Sequence, residues 1–229
     1  ITPKTKVAGA TTEYVWSVKD AKAIAEDANL PGWYDPYPWI QVSEMDTWQG
    51  VIRWALPLYT VTAPTGPDVS AAIKEISART ESKEDRLLAV LRFVQNEIRY
   101  LGIEIGAGSY APNMPDTVLA RRFGDCKDKS LLMVTMLRAL DIDARPALVH
   151  TDLRKQLADW QPTPAAFNHL IVFVKLNGKS YWLDPTRSYQ KGTLENVSQS
   201  NYGLALIVDD TMRGLATMDG ARPVYHKKQ

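Results

Sequence analysis

The stretch Gly124–Leu140, GDCKDKSLLMVTMLRAL, decides the fold because it predicts a helix that is apolar on nearly every side. Leucine, methionine and valine fill most positions after Ser130. A helix with no wide polar face is usually buried at the centre of a domain. Gly124 and Asp125 interrupt the pattern at its start, and Asp125 is a suitable N-cap. We therefore expect a central buried helix that begins at Cys126.

Cys126 is the only cysteine among 229 residues, and it falls in the first turn of this predicted helix. Unpaired backbone N–H groups and the helix dipole favour an anion there, and Lys127 and Lys129 add positive charge nearby. The thiolate is the reactive form of cysteine. A lone cysteine is more often a small buried apolar residue, but the polar flanks and the helix start favour a nucleophile. One thiol forms no internal disulfide, so the redox compartment stays open.

A cysteine nucleophile needs a base, which is usually histidine, and the chain has three histidines. His226 lies in the basic segment YHKKQ, where we expect it to be solvated. His150 ends the predicted strand ARPALVH and is the alternative base, although no carboxylate is placed beside it. His169 opens the segment HLIVFVKLNGKSYWLDPT and is the favoured base.

The Asn-Gly dipeptide at 177–178 predicts a β-hairpin with a two-residue type I′ turn, which fixes the strand register. In that register Ile171 faces Asp184, and His169 lies diagonally across from Asp184, with Cα atoms about 7–8 Å apart. An aspartate bonded to one imidazole nitrogen would orient the ring and leave the other nitrogen for a nucleophile. The alternative is that both residues only cap strand ends, since Asp-Pro is a frequent start of turns.

Three motifs together resemble bacterial transglutaminase-like domains: Cys126 in GDCKDKSLLMVTMLRAL, His169 in FNHLIV and Asp184 in YWLDPT. The segments VQNEIRYLGIEIG and YAPNMPDTVLARRFGDCKD resemble the approach to the cysteine in that family. The resemblance covers roughly residues 70 to 210. It implies an α+β, papain-like fold in which a central helix carries the cysteine. The helix would pack on an antiparallel β-sheet that carries the base and its orienting carboxylate.

Residues 1–62 form the first of two predicted parts and are rich in tryptophan and proline. They resemble the tail of a β-rich domain of unknown function that often precedes transglutaminase-like domains, and residues 63–229 would be the catalytic domain. Within the first part, EYVWSV and PWIQVS are typical of strands. The stretch SEMDTWQGVIRWALPLY predicts a helix capped by Ser43 or Asp46, and TVTAPTGPD predicts a linker.

The family resemblance implies acyl transfer on an amide. Cys126 would attack the carbonyl and form a thioester while His169 protonates the departing amine. Attack by water would make the protein a peptidase or amidase, and attack by an amine would make it a protein-glutamine transglutaminase that cross-links. A third possibility is a non-catalytic module that holds a peptide or glycan in the same cleft.

The oxyanion formed in such a reaction needs hydrogen-bond donors. The backbone N–H of Cys126 is one candidate. Tyr110, Tyr100 and Gln95 are candidate side-chain donors, and Tyr110 is favoured because it lies in the loop rich in glycine and proline before the cysteine. The segment WQPTPAAF, residues 160–167, could form one wall of a substrate cleft or be a plain connection.

Charge and composition exclude several partners. The net charge is +1, from 27 basic and 26 acidic residues, which does not indicate a nucleic-acid partner. No apolar run approaches the ~18 residues that span a bilayer, and no signal-like segment is present. Asp125 and Asp128 do not belong to a metal-ligand cluster, so we expect no metal and no cofactor. The expected partner is a peptide or protein substrate, and the resemblance implies a periplasmic or cell-surface location. The oligomeric state stays open.

Overall fold

The computed structural model describes residues 2–24, 29–103, 105–198 and 200–219. The chain divides into two compact units, residues 1–39 and residues 40–229. The sequence predicts a domain boundary between residues 62 and 63, and that boundary stays a prediction. His226, expected to be solvated, lies outside the described residues.

The smaller unit contains a β-hairpin of two strands, β1 (Lys4–Ala8) and β2 (Thr11–Val15), which pair antiparallel. Gly9 occupies the turn with a positive φ of 61°, a conformation that glycine adopts without steric cost. Strand β2 overlaps the first half of the predicted strand EYVWSV, which is confirmed for residues 13–15 and ends before Trp16.

The second predicted strand, PWIQVS at residues 38–43, is wrong, because these residues, all of them described, form no strand. Pro36 and Pro38 lack the N–H groups that a sheet ladder requires. In the larger unit, Gln41 instead pairs with a loop: its side-chain Nε2 donates to the carbonyl of Gln161 at 3.2 Å, and its Oε1 accepts from the Gln161 N–H at 2.8 Å.

The larger unit has a helical layer whose members pack around one buried helix. Its α-helices are α1 (Trp48–Ala55), α2 (Pro67–Ala78), α3 (Lys83–Glu97), α4 (Pro115–Arg121) and α5 (Cys126–Ala139). Short 3₁₀ turns cover Gly106–Ser109, Arg154–Asp159 and Pro164–Ala166.

Two helices begin with a side-chain cap. Helix α3 begins after Ser82, whose hydroxyl accepts from the Asp85 N–H at 3.0 Å. Helix α1 is shorter than predicted and begins after Thr47, whose side chain accepts from the Gly50 N–H at 3.1 Å. The predicted caps at Ser43 and Asp46 are therefore wrong. Leu56 is still helical, and the helix ends there because Pro57 has no N–H to continue the helical hydrogen bonds.

The sheet of the larger unit has five antiparallel strands in the order β7–β6–β5–β8–β9. They are β5 (Asp143–Val149), β6 (His169–Leu176), β7 (Lys179–Leu183), β8 (Leu204–Ile207) and β9 (Ala216–Thr217). A separate parallel pair joins β3 (Arg99–Tyr100) to β4 (Phe123–Gly124), just before α5. The architecture is α+β, as predicted.

The turn between β6 and β7 has the predicted geometry. Asn177 and Gly178 have φ angles of 51° and 75°, as a type I′ turn requires. Leu176 pairs with Lys179, which confirms the predicted register. This register brings the start of β6 and the residue after β7 to the same end of the hairpin.

Helix α5 lies in the centre of the fold, as its sequence predicts. Its leucines, methionines and valine are almost fully buried, and it packs on β5 and β6 and against α3 and α4. The hydroxyl of Ser130 donates to the carbonyl of Leu170 at 3.0 Å and ties the helix to the sheet. Because the sheet fixes the helix axis, the first turn of α5 is held beside the start of β6.

Candidate active site

Cys126 occupies the first turn of α5 and has only 3% of its surface exposed. Asp125 caps the helix: its side chain accepts from the N–H groups of Lys127 at 2.8 Å and Asp128 at 3.1 Å. The Asp128 carboxylate accepts in return from the Asp125 N–H at 3.3 Å, which completes a capping box. The predicted cap is confirmed, and it fixes the direction in which the first turn presents the thiol.

The two lysines after the cysteine contribute less positive charge to the thiol than their sequence suggests. Lys127 is buried and its Nζ forms an ion pair with Asp125 at 2.8 Å. Lys129 is also buried and donates to the carbonyl of Ile98. Burial lowers the pKa of Lys129 to about 8, against the opposing charge of Asp184. Both ammonium groups therefore have partners of their own.

His169 and Asp184 meet at the end of the β6–β7 hairpin. His169 is the first residue of β6, and Asp184 directly follows β7. The His169 Nε2 atom lies 3.0 Å from Asp184 Oδ2. Cys126 lines the same cavity as His169, and its interaction with the imidazole raises the pKa of the ring. Because Nε2 is used by Asp184, the Nδ1 atom is the one left for the thiol.

Two opposing effects set the protonation of His169. Burial alone would lower the pKa of the imidazole, because it disfavours the charged form. Hydrogen bonds and charge interactions with Asp184 and Cys126 exceed that effect and raise the pKa to about 9. The His169 ring therefore keeps its proton through neutral pH.

Asp184 is stabilised as a carboxylate. Burial would raise its pKa, but the hydrogen bond and charge of His169 lower it to about 2, with help from Thr186. The Oδ1 atom accepts from the Thr186 N–H at 2.9 Å and from the Thr186 hydroxyl at 2.6 Å. One carboxylate oxygen is thus anchored by Thr186 while the other faces the imidazole.

A cavity of about 70 Å³ opens beside Cys126 and His169. Its walls come from five parts of the fold and are mostly apolar or aromatic: Trp54, Tyr59, Ser109, Tyr110, Lys127, Leu148, Pro164, Phe167, Asn168 and Leu170. Pro164 and Phe167 belong to the segment WQPTPAAF, which therefore lines the cavity, and its role in a substrate cleft stays a prediction. A larger cavity of about 280 Å³, near Phe173 and Trp182, contains neither Cys126 nor His169.

The predicted oxyanion donors differ in where the fold places them. Tyr110 lines the cavity, and its ring meets that of Trp54 edge-on at 5.1 Å. Its role as a donor stays a prediction. Gln95 is buried behind Asp184, where its Nε2 donates to the Asp184 carbonyl at 3.0 Å and to Gln190 Oε1 at 2.8 Å. Gln95 therefore binds the backbone of Asp184 and does not line the cavity. Tyr100 is half exposed and does not line the cavity either.

His150, the alternative base, has a local structural role. Its Nδ1 atom accepts from the N–H groups of Asp152 at 3.2 Å and Leu153 at 3.1 Å. Burial lowers the pKa of His150, so the ring is neutral and acts as an acceptor. His150 therefore stabilises the turn after β5, and it does not line the cavity.

The sequence did not single out Tyr59 and Tyr202, which lie close to the three candidate residues. Tyr59 is buried and its hydroxyl donates to the carbonyl of Tyr110 at 2.9 Å. Burial raises the pKa of Tyr59, with smaller effects from the charges of Cys126 and Asp125. Tyr202 donates to Asp184 Oδ2 at 3.1 Å. Neither tyrosine belongs to a motif, and no local spacing could have placed it here.

The described residues contain no group of three or more His, Cys, Asp or Glu side chains arranged to hold a metal ion. Among the helices in the described ranges, none is long and apolar enough to cross a bilayer.

Comparison with known proteins gives one family match. The sequence model of the Transglutaminase-like superfamily matches residues 70–185, a segment that includes Cys126, His169 and Asp184. That segment is just over half of the 229 residues. No curated protein matches the sequence.

One solved structure shows the same fold at low sequence identity, and a second is reported beside it. A provisionally assigned protease from Parabacteroides distasonis is 16% identical, with a TM-score of 0.55 over 72% of this chain and 30% of the other. A provisionally assigned cysteine protease from Cytophaga hutchinsonii is also 16% identical, with a TM-score of 0.43 over 76% of this chain and 59% of the other. The present chain therefore spans less than a third of the Parabacteroides protein and less than two thirds of the Cytophaga protein.

Proposed function

Because this chain belongs to the transglutaminase-like superfamily, we propose that it is a cysteine-dependent enzyme that transfers acyl groups from amide substrates. One observation carries the proposal. The imidazole of His169 lies 3.0 Å from the Asp184 carboxylate and lines the same cavity as Cys126, whose charge raises the pKa of the ring. A nucleophile, a base and a group that orients the base are what covalent acyl transfer requires.

In the first half of the proposed reaction, the Cys126 thiolate attacks the carbonyl carbon of the amide. A C–S bond forms and the carbonyl π electrons move onto oxygen, which gives a tetrahedral oxyanion. The oxyanion then collapses and breaks the C–N bond. The protonated His169 delivers its Nδ1 proton to the departing amine, so a thioester and a neutral amine result.

In the second half, His169 is neutral and acts as a base. It takes a proton from the incoming water while the water oxygen attacks the thioester carbon. Collapse of this second intermediate breaks the C–S bond, releases a carboxylic acid and returns the proton and the thiolate to their starting positions. We favour this hydrolytic route, a peptidase or amidase reaction, because water reaches a small cavity more readily than a second protein chain does.

Asp184 contributes in both halves. Its hydrogen bond to Nε2 keeps the ring oriented with Nδ1 toward the sulfur, and its charge stabilises the imidazolium. Thr186 holds the opposite oxygen of the same carboxylate. The pair therefore stays aligned while the proton on Nδ1 moves.

A screen with peptide and amide libraries tests the proposal, with products read by mass spectrometry in the presence and absence of a primary amine. Cleaved products that disappear in Cys126→Ser support the hydrolase. Amine adducts that depend on Cys126 would identify the transglutaminase instead. Peptide binding without turnover, equal in Cys126→Ser and wild type, would contradict catalysis and identify a binding module.

A further inference from the structure

Tyr202 lies beyond residues 70–185, the segment that the family model matches. Among the described residues outside that segment, it is the one whose side chain contacts both His169 and Asp184. It precedes strand β8 and is half-buried. Its hydroxyl lies 3.1 Å from Asp184 Oδ2, the same oxygen that faces His169. Its ring meets the imidazole edge-on, with ring centres 5.8 Å apart and an interplanar angle of 86°.

The hydroxyl of Tyr202 is a donor in this contact. Asp184 is ionised and can only accept, since its pKa is about 2. Burial, followed by the charge of Asp184, raises the pKa of Tyr202, so the phenol keeps its proton. Oδ2 thus receives two donors, from His169 and from Tyr202, while Oδ1 receives two from Thr186.

The backbone around Tyr202 is fixed. Its N–H points to the sulfur of Met218 at 3.4 Å. Gly203 follows with φ 82°, and its carbonyl accepts from the Met218 N–H at 3.0 Å. Gly203 packs so closely on the 3₁₀ turn that begins at Arg154 that an added Cβ would lie 2.9 Å from a backbone carbon. The tyrosine ring therefore has little freedom to leave the imidazole.

We propose that Tyr202 is a positioning residue for the proposed acyl-transfer reaction, with its hydroxyl fixing the Asp184 carboxylate and its ring excluding water from the His169–Asp184 hydrogen bond. This inference rests on the proposed function for its catalytic meaning. The two parts of the side chain have different effects on His169. The hydroxyl competes for the oxygen that His169 uses, whereas the ring keeps the low-dielectric surroundings that strengthen the pair.

Other charges also act on this cluster. Cys126 faces the imidazole from α5, Lys129 acts on Asp184 from the same helix, and Arg187 acts on Tyr202 from the loop after β7. None of them is altered by a substitution at position 202, so their contributions stay constant in the comparison below.

Two variants separate the hydroxyl from the ring. Tyr202→Phe removes the hydroxyl and keeps the ring, so Oδ2 becomes a stronger acceptor and the pKa of His169 rises above its wild-type value. Tyr202→Leu removes both and admits water, which screens the charge of Asp184. We expect this weaker attraction to exceed the relief from burial, so the pKa of His169 falls by about one unit toward that of a free imidazole. NMR titration of labelled histidine measures both shifts in the resting protein, and His150→Gln and His226→Gln assign the three signals.

Opposite shifts in the two variants support the inference. Unchanged titration of His169 in both, or shifts of the same sign, would overturn it, because a purely structural tyrosine has no reason to move this pKa in two directions. If Tyr202→Leu does not fold, Tyr202→Phe alone still tests the inference. A His169 pKa that fails to rise in Tyr202→Phe would contradict it. The titration needs no substrate, so it succeeds or fails independently of the acyl-transfer proposal. Once a substrate is known, we expect Tyr202→Phe to lower kcat more than it changes KM.

Discussion

The Nε2 atom of His169 lies 3.0 Å from Oδ2 of Asp184, although the two residues are 15 positions apart in the chain. The Asn-Gly turn at 177–178 makes this possible, because it fixes the register of β6 and β7 and brings their outer ends together. The hydrogen bond is therefore a consequence of hairpin geometry. Its chemical use depends on Cys126, which reaches the same imidazole from a helix on the face of the sheet.

Replacing Asp184 by Asn tests whether the carboxylate serves the reaction. The amide has nearly the same shape and can still accept from Thr186, but it cannot stabilise an imidazolium and can orient the ring in the wrong tautomer. We expect the acyl-transfer rate to fall by about 10²–10⁴-fold, while the free energy of unfolding changes far less. Steady-state kinetics and urea unfolding on the same samples measure the two effects. Loss of activity only in proportion to loss of folded protein would make Asp184 structural.

The pH dependence of stability follows from the two pKa shifts. The folded pKa of His169, about 9, lies above the ordinary value of 6.5, so its contribution is full below pH 6.5 and is lost as the pH rises through 9. The folded pKa of Asp184, about 2, lies below 3.8, so its contribution is full above pH 3.8 and is lost as the pH falls through 2. The pair therefore stabilises the fold most between about pH 4 and pH 6.5.

Urea unfolding at pH 6 and pH 9.5 measures the alkaline half of this dependence. We expect wild-type protein and the control His150→Gln to lose stability between the two values, and His169→Gln to lose clearly less. The control is suitable because burial lowers the pKa of His150, and its contacts are with the turn after β5 and with Trp160, away from the cavity lining. An identical loss in all three proteins would mean that other groups cause the dependence.

Tyr110→Phe tests the predicted oxyanion donor. The ring contact with Trp54 is kept, since only the hydroxyl is removed. If the hydroxyl binds the oxyanion, kcat falls by about 10²–10³-fold with KM little changed. Tyr59→Phe is the matched comparison, because the Tyr59 hydroxyl already donates to the Tyr110 carbonyl. A normal kcat in Tyr110→Phe would remove Tyr110 from the reaction and leave its ring as part of the cavity wall.

The features that the sequence predicted correctly are local. The cap at Asp125 and the buried helix after it depend on neighbouring residues, and so does the turn at 177–178 that sets the register. His169 and Asp184 could be paired because a single tight turn separates their strands. The fold class followed from these elements together with the family resemblance.

The features that the sequence missed depend on contacts between distant segments. Tyr59 lies beside Tyr110 in the cavity wall, although the two residues are 51 positions apart in the chain. Gln95 contacts the backbone of Asp184 across 89 positions, which is why a side chain suspected as an oxyanion donor was found behind the site. The wrong strand at residues 38–43 has a local cause, because its aromatic and β-branched residues favour a strand while two prolines remove the N–H groups that a strand needs.

A pair of glycine substitutions tests how tightly the chain holds Tyr202. Gly178 and Gly203 both have positive φ, at 75° and 82°. A Cβ at Gly178 meets nothing within 4 Å, whereas one at Gly203 lies 2.9 Å from the backbone of Arg154. We expect Gly178→Ala to cost about 1 kcal/mol of unfolding free energy from backbone conformation alone, and Gly203→Ala to cost about 3 kcal/mol or more. Equal costs would show that the contact at Gly203 adjusts easily.

The alkylation rate of Cys126 by iodoacetamide, compared at pH 6 and pH 9, tests the central claim most directly. The ratio of the two rates is the useful quantity, because the limited exposure of Cys126 slows the reaction at both pH values. An ordinary thiol with a pKa near 8.5 reacts about 200-fold faster at pH 9 than at pH 6. His169 is protonated at pH 6 and lines the same cavity as Cys126, and a neighbouring imidazolium favours the thiolate.

We therefore predict a ratio below about 10-fold for the wild-type protein, rising toward the value of about 200-fold in His169→Gln, where the cation is absent. A wild-type ratio near 200-fold, unchanged by His169→Gln, would contradict the account, because it would leave Cys126 an ordinary thiol beside an uninvolved histidine.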